Sequence, residues 1–270
     1  MQATIPGGIN AQGDVVGSYY DANWNQHGFL LTSGGTFTTI DYGLPPAQTN
    51  LNAINSRGDI VGTVQFDTTL PGGGYHSFII RGGVFENADF PGHLNTVAAG
   101  ITDAGEVVGC IHDQDTSTTM FGFILSHGVY TALDGNSPPL PAKSASMNNG
   151  ATPDGGVITG LWTDLKAGIT HGYLLSTRDG VFTPFDPPGS VFTMAWGINA
   201  AGQAVGFYDD ENGEHGFLLS RGSFTPIDIP EAQFTDAFGI NSRGDVVGIF
   251  GDSVGNIHGF LLTRAPKRGL

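Results

Sequence analysis

The chain has 270 residues, of which only 13% are charged and 43 are glycine, a composition typical of many short strands joined by tight turns. A net charge of −15 argues against nucleic acids and anionic membranes as partners, because both bind basic surfaces. Cys110 is the only cysteine, so an intrachain disulfide is excluded, and no apolar run is long enough to cross a bilayer.

The first recognisable element is a segment close to Gly-Ile-Asn-x-x-Gly-Asp-x-Val-Gly, which occurs six times. The six copies span residues 8–17, 53–62, 100–109, 150–160, 197–206 and 239–248. They follow one another at a period of about 46 residues, and self-similarity at such a period is the signature of a repeat architecture. The sequence therefore predicts six copies of one structural unit.

Two further signatures follow the first one in the repeats. A His-Gly-Phe-like triplet occurs at 27–29, 76–78, 121–123, 171–173, 215–217 and 258–260, and Phe-Thr-x-Ile-Asp is clearest at 37–41, 182–186 and 224–228. Together the signatures predict four strands per repeat: A ending in Gly-Ile-Asn, B with Asp-Val-Val-Gly, C with His-Gly-Phe, and D with Phe-Thr-x-Ile-Asp. Four strands in this length are typical of a propeller blade, whereas the rungs of a β-solenoid, the alternative, are usually shorter.

We therefore predict an all-β protein, a six-bladed β-propeller of four-stranded antiparallel blades that forms a single domain over residues 1–270. The repeats span approximately 3–46, 47–93, 94–143, 144–190, 191–231 and 232–264. The sixth repeat has no clear strand D. Either that blade is three-stranded, or residues 264–270 contribute, or the missing strand lies outside this sequence.

The triplet resembles the His-Ala-Phe motif of the bacterial extracellular HAF repeat family, with glycine usually in place of alanine. The resemblance covers essentially the whole chain, although repeat three has Phe121 instead of the histidine and Thr102 instead of the asparagine. It implies export, with no defined activity. We accordingly expect an extracellular or periplasmic protein whose leader is absent from these residues.

Up-and-down strand order places the B–C loops and the D–A links on one rim of the ring, here called the loop-rich rim. The A–B and C–D turns lie on the other, the hairpin rim. An aspartate follows strand B in every repeat, and in five repeats a histidine opens strand C. The aspartates are Asp21, Asp67, Asp113, Asp164, Asp209 and Asp252, and the histidines are His27, His76, His171, His215 and His258. The simpler interpretation is a structural Asp–His hydrogen bond that holds the loop.

The alternative interpretation of these loops is a set of cation sites. Calcium prefers clustered oxygen ligands, which the segments 21–25, 113–117 and 209–214 provide. The candidate metal ligands are Asp21, Asp113, Asp115, Asp209 and Asp236. None of the loops has the full calcium-binding motif, so Ca²⁺ or another divalent cation is one option and the absence of a cofactor is the other.

Candidate ligand-binding residues are those that break the six-fold pattern, because a site specific for one ligand cannot be six-fold symmetric. Asn50 and Asp236 are polar where other repeats have apolar residues, and Asn52 and Asn149 stand where Trp196 and Phe238 stand elsewhere. Lys143 and Trp24 are further ligand-binding candidates, and His93 and His112 are candidate general bases. Each of these residues alone is more often structural or an ordinary surface residue.

Three functions fit these residues. The first is a secreted binding propeller, most simply a monomer, that recognises a glycan, peptide, other small molecule or cation through its acidic loop-rich rim. The second is a divalent-metal-dependent hydrolase of lactones, esters or phosphoesters at the channel mouth, which is an analogy of fold. The third is a repeat scaffold without a ligand. Motifs of nucleophilic, zinc or nucleotide-dependent enzymes do not occur in the sequence.

Overall fold

The computed structural model describes residues 2–43, 47–66, 74–112, 120–133 and 144–263. All regular structure in these ranges is antiparallel sheet, apart from one parallel bridge. The first sheet contains β1 (Ala3–Ile9), β2 (Val15–Tyr20), β3 (Gln26–Leu31) and β4 (Phe37–Ile40). The second contains β5 (Gln48–Ile54), β6 (Ile60–Gln65), β7 (Tyr75–Arg81) and β8 (Val84–Asn87). The third contains β9 (Thr96–Ile101), β10 (Val107–Ile111), β11 (Phe121–Ser126) and β12 (Val129–Leu133).

The fourth sheet has eight strands, which form two antiparallel halves joined by a single parallel bridge from Thr170 to Phe192. Its first half contains β13 (Ser144–Ala151), β14 (Val157–Asp164), β15 (Ile169–Ser176) and β16 (Phe182–Phe185). Its second half contains β17 (Phe192–Ile198), β18 (Ala204–Asp210), β19 (Gly213–Ser220) and β20 (Ser223–Ile227). The last sheet has three strands, β21 (Phe234–Ile240), β22 (Val246–Gly251) and β23 (Ile257–Leu262).

The repeated asparagine ends strand A and closes the A–B turn. Asn55 shows how: its Oδ1 accepts hydrogen bonds from the backbone N–H groups of Arg57 and Asp59, at 3.0 and 2.9 Å. Its Nδ2 also donates to the carbonyl oxygen of Thr102 in the next repeat, at 2.9 Å. The same residue therefore shapes a turn and ties two repeats together, which explains its recurrence in the motif.

Apolar side chains pack between consecutive repeats. Buried Val61 and Ile79 of the second repeat, for example, lie in one cluster with Val107 and Phe123 of the third. A further cluster joins Val247 of the last repeat to residues of the first one, including Phe29. Each core cluster thus lies between neighbouring repeats, as between the blades of a propeller.

The first and last repeats also meet along their backbones. Strand β1 contacts β21, β22 and β23, and Nη1 of Arg243 donates to the carbonyl oxygen of Ala11 at 2.7 Å. A Cβ atom built on Gly239 would lie only 3.1 Å from the Cα of Gly8. The ends of the repeat array are therefore in direct contact.

Candidate functional site

Every strand A contains a β-bulge, at which one residue has no opposite partner in strand B. The six bulge residues are Gly7, Asn52, Ala99, Asn149, Trp196 and Phe238. All six line a single cavity, which contains about 740 Å³ of space including solvent at its mouth. Bulges commonly re-aim a side chain in this way, and here they make the wall of a central channel.

The channel cavity extends from the bulges to the A–B turns, where Ser56, Asp103 and Ser242 belong to its lining. It therefore lies toward the hairpin rim. Trp196 and Phe238 form its apolar side, with ring centroids 5.1 Å apart.

The three candidate asparagines form hydrogen bonds within or between repeats. Nδ2 of Asn50 donates to Oδ1 of Asn52 at 2.8 Å, and Nδ2 of Asn52 donates to the carbonyl oxygen of Ala98 at 2.7 Å. Asn149 donates in the same way to the carbonyl oxygen of Ala195, at 2.9 Å. Oδ1 of Asn149 is buried and has no hydrogen-bond partner within the described ranges.

Three carboxyl groups meet on the loop-rich rim, at the boundary between repeats five and six. Asp209 and Glu214 face each other across the β18–β19 hairpin, and Asp236 of β21 forms a side-chain hydrogen bond with Glu214. Asp236 is 8% exposed, and its Oδ1 finds no partner among the residues that the structure describes. We call Asp209, Glu214 and Asp236 the carboxyl cluster.

The cluster changes the acidity of its members. Burial and the adjacent carboxylate of Glu214 raise the pKa of Asp236 to about 8. Burial also raises the pKa values of Glu214 and Asp209, to which the charges of neighbouring carboxylates add. Like charges held this close in a partly dehydrated place cannot all ionise, so the cluster retains a proton near neutral pH.

The sequence indicated Asp209 and Asp236 separately, and the structure brings them together. Glu214 was missed as a candidate, although it stands in the acidic segment 209–214. The signal that could have identified it is the register of a tight hairpin, in which Asp209 and Glu214 are opposite each other.

The histidines of strand C pair mainly with a different aspartate from the predicted one. Their Nδ1 atoms lie 2.7–3.0 Å from the aspartate that follows strand D, in the pairs His27–Asp41, His76–Asp89, His171–Asp186 and His215–Asp228. The B–C loop aspartate is a secondary partner, at 3.6 Å, for His27 and His215, and in repeat five it is Asp210 instead of Asp209. The prediction was thus wrong about the main partner in these four repeats and correct for His258, whose Nε2 lies 2.8 Å from Oδ2 of Asp252.

In repeats one, four and six an aromatic residue of strand B stacks on the histidine. His27 stacks on Tyr19, His171 on Trp162 and His258 on Phe250, with ring centroids 4.7–5.2 Å apart. The hydrogen bond to Asp41 is the main cause that raises the pKa of His27. The recurring histidine therefore fastens strand D and the B–C loop to the blade.

Asp21 organises its own loop. Its carboxylate accepts hydrogen bonds from the backbone N–H groups of Asn23 and Asn25 and from the side chain of Asn25, at 2.7–3.0 Å. These bonds hold the pKa of Asp21 at about 2. Both of its oxygens are thus engaged within the loop. Asp67, Asp113, Asp115 and Lys143 lie outside the described residues.

The two candidate bases belong to different repeats, His93 to the end of repeat two and His112 to repeat three. The ring of His93 makes edge contacts with Phe90 and Phe121, at centroid distances of 5.1 and 5.4 Å. Nε2 of His112 lies 2.9 Å from Sγ of Cys110, a fully buried thiol whose pKa is raised by burial. Neither histidine belongs to the repeats that form the carboxyl cluster.

Trp24 lies on the loop-rich rim in the first B–C loop. Its side chain is exposed, and its backbone is left-handed with a φ of 64°. Within the described ranges, no three His, Cys, Asp or Glu side chains are grouped closely enough to hold a metal ion. The same ranges contain no helix with the length and hydropathy required to cross a membrane.

Comparison with known proteins identifies relatives of the fold only. No family model matches the sequence, and no curated protein matches it either. Among solved structures, a streptogramin B lyase is 15% identical with a TM-score of 0.53, covering 99% of this chain and 85% of the lyase. TolB from Acinetobacter baumannii is 12% identical with a TM-score of 0.59, covering 94% of this chain and 67% of that one.

The β-propeller domain of the Trilobed protease from Pyrococcus furiosus, which has an open velcro topology, is a third similar structure. It is 12% identical with a TM-score of 0.57, covering 96% of this chain and 78% of that chain. At identities this low, the similarity shows a shared fold. It does not assign the activity of any of these proteins to this chain. They confirm that this chain is an all-β propeller with four-stranded antiparallel blades.

Proposed function

We propose that the chain is a six-bladed propeller that binds a cationic ligand at the carboxyl cluster of its loop-rich rim. The observation that carries the proposal is Asp236, a buried carboxyl group with an unpartnered oxygen and two further carboxyl groups beside it. Of the ligands that the sequence suggests, a positively charged group fits this cluster best.

The blade count rests on the strand pairing and on the channel. The eight-stranded sheet consists of two antiparallel halves, each with one copy of every repeat signature, and a single bridge joins them. The channel cavity takes one bulge residue from each of the six repeats. Contacts between β1 and β21–β23 support closure of the ring.

The energetics of the cluster favour a cation. A buried acceptor without a donor costs about 1–3 kcal/mol, and neighbouring carboxylates repel each other. A bound ammonium group would satisfy Oδ1 of Asp236 and offset the repulsion from Glu214 and Asp209. Strongly perturbed pKa values of this kind are concentrated at functional sites.

Binding should be linked to proton release. At pH 7 Asp236 is mainly protonated, because its pKa is raised to about 8. A cation favours the ionised carboxylate, so a proton must leave when the cation binds. Affinity should therefore increase as the pH rises from 6 to 8.

Calorimetric titration of the purified protein tests this proposal, with CaCl₂ and with putrescine as separate probes at constant ionic strength. We expect saturable binding of putrescine, with CaCl₂ as the comparison, because the three carboxyl groups are not grouped closely enough to hold a metal ion. The proton release should appear as a dependence of the binding enthalpy on the ionisation enthalpy of the buffer.

Two variants distinguish binding at the carboxyl cluster from nonspecific attraction of cations to the acidic rim. Asp236→Asn removes the central carboxylate and should weaken binding at least about tenfold. Glu211→Gln removes an exposed charge from the same B–C turn and should leave the affinity unchanged. Absence of saturable putrescine binding, or equal putrescine affinities of wild type and Asp236→Asn, would refute the proposal.

The metal-dependent hydrolase stays a prediction. Its proposed bases, His93 and His112, belong to repeats two and three, whereas Asp236 belongs to repeat six. Export from the cell likewise stays a prediction.

A further inference from the structure

The sixth repeat differs from the other five at its outer edge. In each of those repeats strand C pairs with a fourth strand, as β3 pairs with β4 and β19 with β20. Strand β23 pairs with β22 on one side and with no strand on the other, within the described residues. Its second edge therefore offers free backbone groups, which readily pair with an additional strand.

The side chains around this edge are uncovered where those of the other repeats are covered. Leu262 is 47% exposed. Of its five counterparts, Ile80, Leu175 and Leu219 are at most 7% exposed, and Leu31 and Leu125 are half-buried. Gly259 is exposed, whereas the corresponding Gly28 and Gly216 are buried. The difference affects one repeat only and coincides with the place that a fourth strand would occupy.

The histidine of this repeat uses a different hydrogen bond. In the pairs described above, Nδ1 is the atom that meets the aspartate after strand D. His258 instead places Nε2 at 2.8 Å from Oδ2 of Asp252 in its own B–C loop. Within the described residues, Nδ1 of His258 has no hydrogen-bond partner. None of these residues therefore takes the place that the strand-D aspartate has in the other repeats.

We propose that the free edge of β23 binds an extended peptide segment from outside residues 1–270, with the pattern aromatic-Thr-x-Ile-Asp. The register of the other repeats sets the contacts. An aromatic side chain pairs opposite Leu262, threonine opposite Leu261 and isoleucine opposite Gly259, as Phe224, Thr225 and Ile227 pair in repeat five. The aspartate that follows meets Nδ1 of His258.

The sequence of the partner follows from this register. Added strands gain affinity from backbone hydrogen bonds and specificity from alternate side chains. The segment 264–270, Arg-Ala-Pro-Lys-Arg-Gly-Leu, contains neither an aromatic residue nor an aspartate, so it does not supply the pattern. The described strands that have the pattern already pair within their own repeats.

A synthetic peptide with the sequence of residues 223–230, Ser-Phe-Thr-Pro-Ile-Asp-Ile-Pro, capped at both ends, tests the proposal in trans. Fluorescence anisotropy of the labelled peptide should show saturable 1:1 binding to the full chain. Hydrogen exchange should slow at backbone amides of β23. A peptide with the same residues in permuted order should bind at least about tenfold more weakly.

Two matched variants test the register. His258→Phe introduces the residue that repeat three has at this position, Phe121, and should weaken peptide binding about tenfold, because the charge-assisted hydrogen bond is lost. His76→Phe makes the same change where a fourth strand is already present, and should leave peptide binding unchanged.

Three results would overturn the proposal: no saturable binding of the peptide, equal affinity for the permuted peptide, or equal effects of the two histidine variants. Analytical ultracentrifugation adds a fourth. A dimer that excludes the peptide and slows hydrogen exchange at the amides of β23 would assign the edge to a second copy of this chain. None of these outcomes depends on cation binding at Asp236.

Discussion

At the scale of single residues, Asp236 is the group whose environment differs most from that of an exposed aspartate. Its pKa is raised to about 8, so the folded protein binds a proton between pH 4 and 8 that the unfolded chain releases. The stabilisation from this proton is fully present below the unfolded pKa and is lost as the pH rises through 8.

Asp236→Asn should therefore flatten the pH dependence of stability. Thermal unfolding should show that the melting temperature of the wild type falls more between pH 4 and 8 than that of the variant. Since one pKa unit corresponds to about 1.4 kcal/mol, the free energies of unfolding should diverge by a few kcal/mol at most. Glu211→Gln serves as the control. Parallel curves for wild type and Asp236→Asn would contradict the assignment.

The sequence identified Asp236 because it breaks a six-fold pattern, which is visible without coordinates. The pairing of Asp236 with Glu214 was not predictable in the same way, since it joins different repeats across a blade boundary. The partners of the histidines were predictable in principle: Asp41, Asp89, Asp186 and Asp228 each follow their histidine by 13–15 residues.

At the scale of elements, the A–B turn is the feature that every repeat has in common. Asparagine closes it in four repeats, and threonine in the other two. Oγ1 of Thr102 accepts the backbone N–H of Glu106 at 3.1 Å, so threonine also closes the turn. Threonine has no amide group to donate to the next repeat, so the two functions of the asparagine can be separated by mutation.

Asn55→Ala should lose both functions and lower the free energy of unfolding by about 2–3 kcal/mol, because buried backbone groups lose their partners. Asn55→Thr should retain the turn, lose the bond to the carbonyl of Thr102, and cost about half as much. Urea denaturation of both variants measures the difference. Equal losses would show that the bond between repeats contributes nothing.

The four strands of each repeat were predictable from motif order, and their bounds follow the signatures closely. The β-bulges were not, since nothing in the alternation of side chains marks the extra residue. The bulge brings the side chains of Asn52 and Asn149 to the channel. A regular strand without the extra residue would not direct these side chains there.

At the scale of the whole molecule, the account depends on contact between the first and last repeats. Arg243 reaches Ala11, and Gly239 approaches Gly8, although these residues are more than 200 positions apart in the chain. The sequence predicted the repeats and their strands, whereas it left the closure of the ring open, because the sixth repeat has no clear strand D. The first and last repeats pack against each other, and within the described residues no strand pairs with the second edge of β23.

The most direct test of ring closure is the distance between spin labels at Gln12 and Ser242, measured by double electron–electron resonance. Both residues are exposed on A–B turns, and Cys110 is buried, so the two labels can be attached selectively. A closed ring predicts a narrow distribution below about 25 Å. An open stack of six sheets, spaced about 10 Å apart, would separate the labels by about 50 Å and would contradict the account.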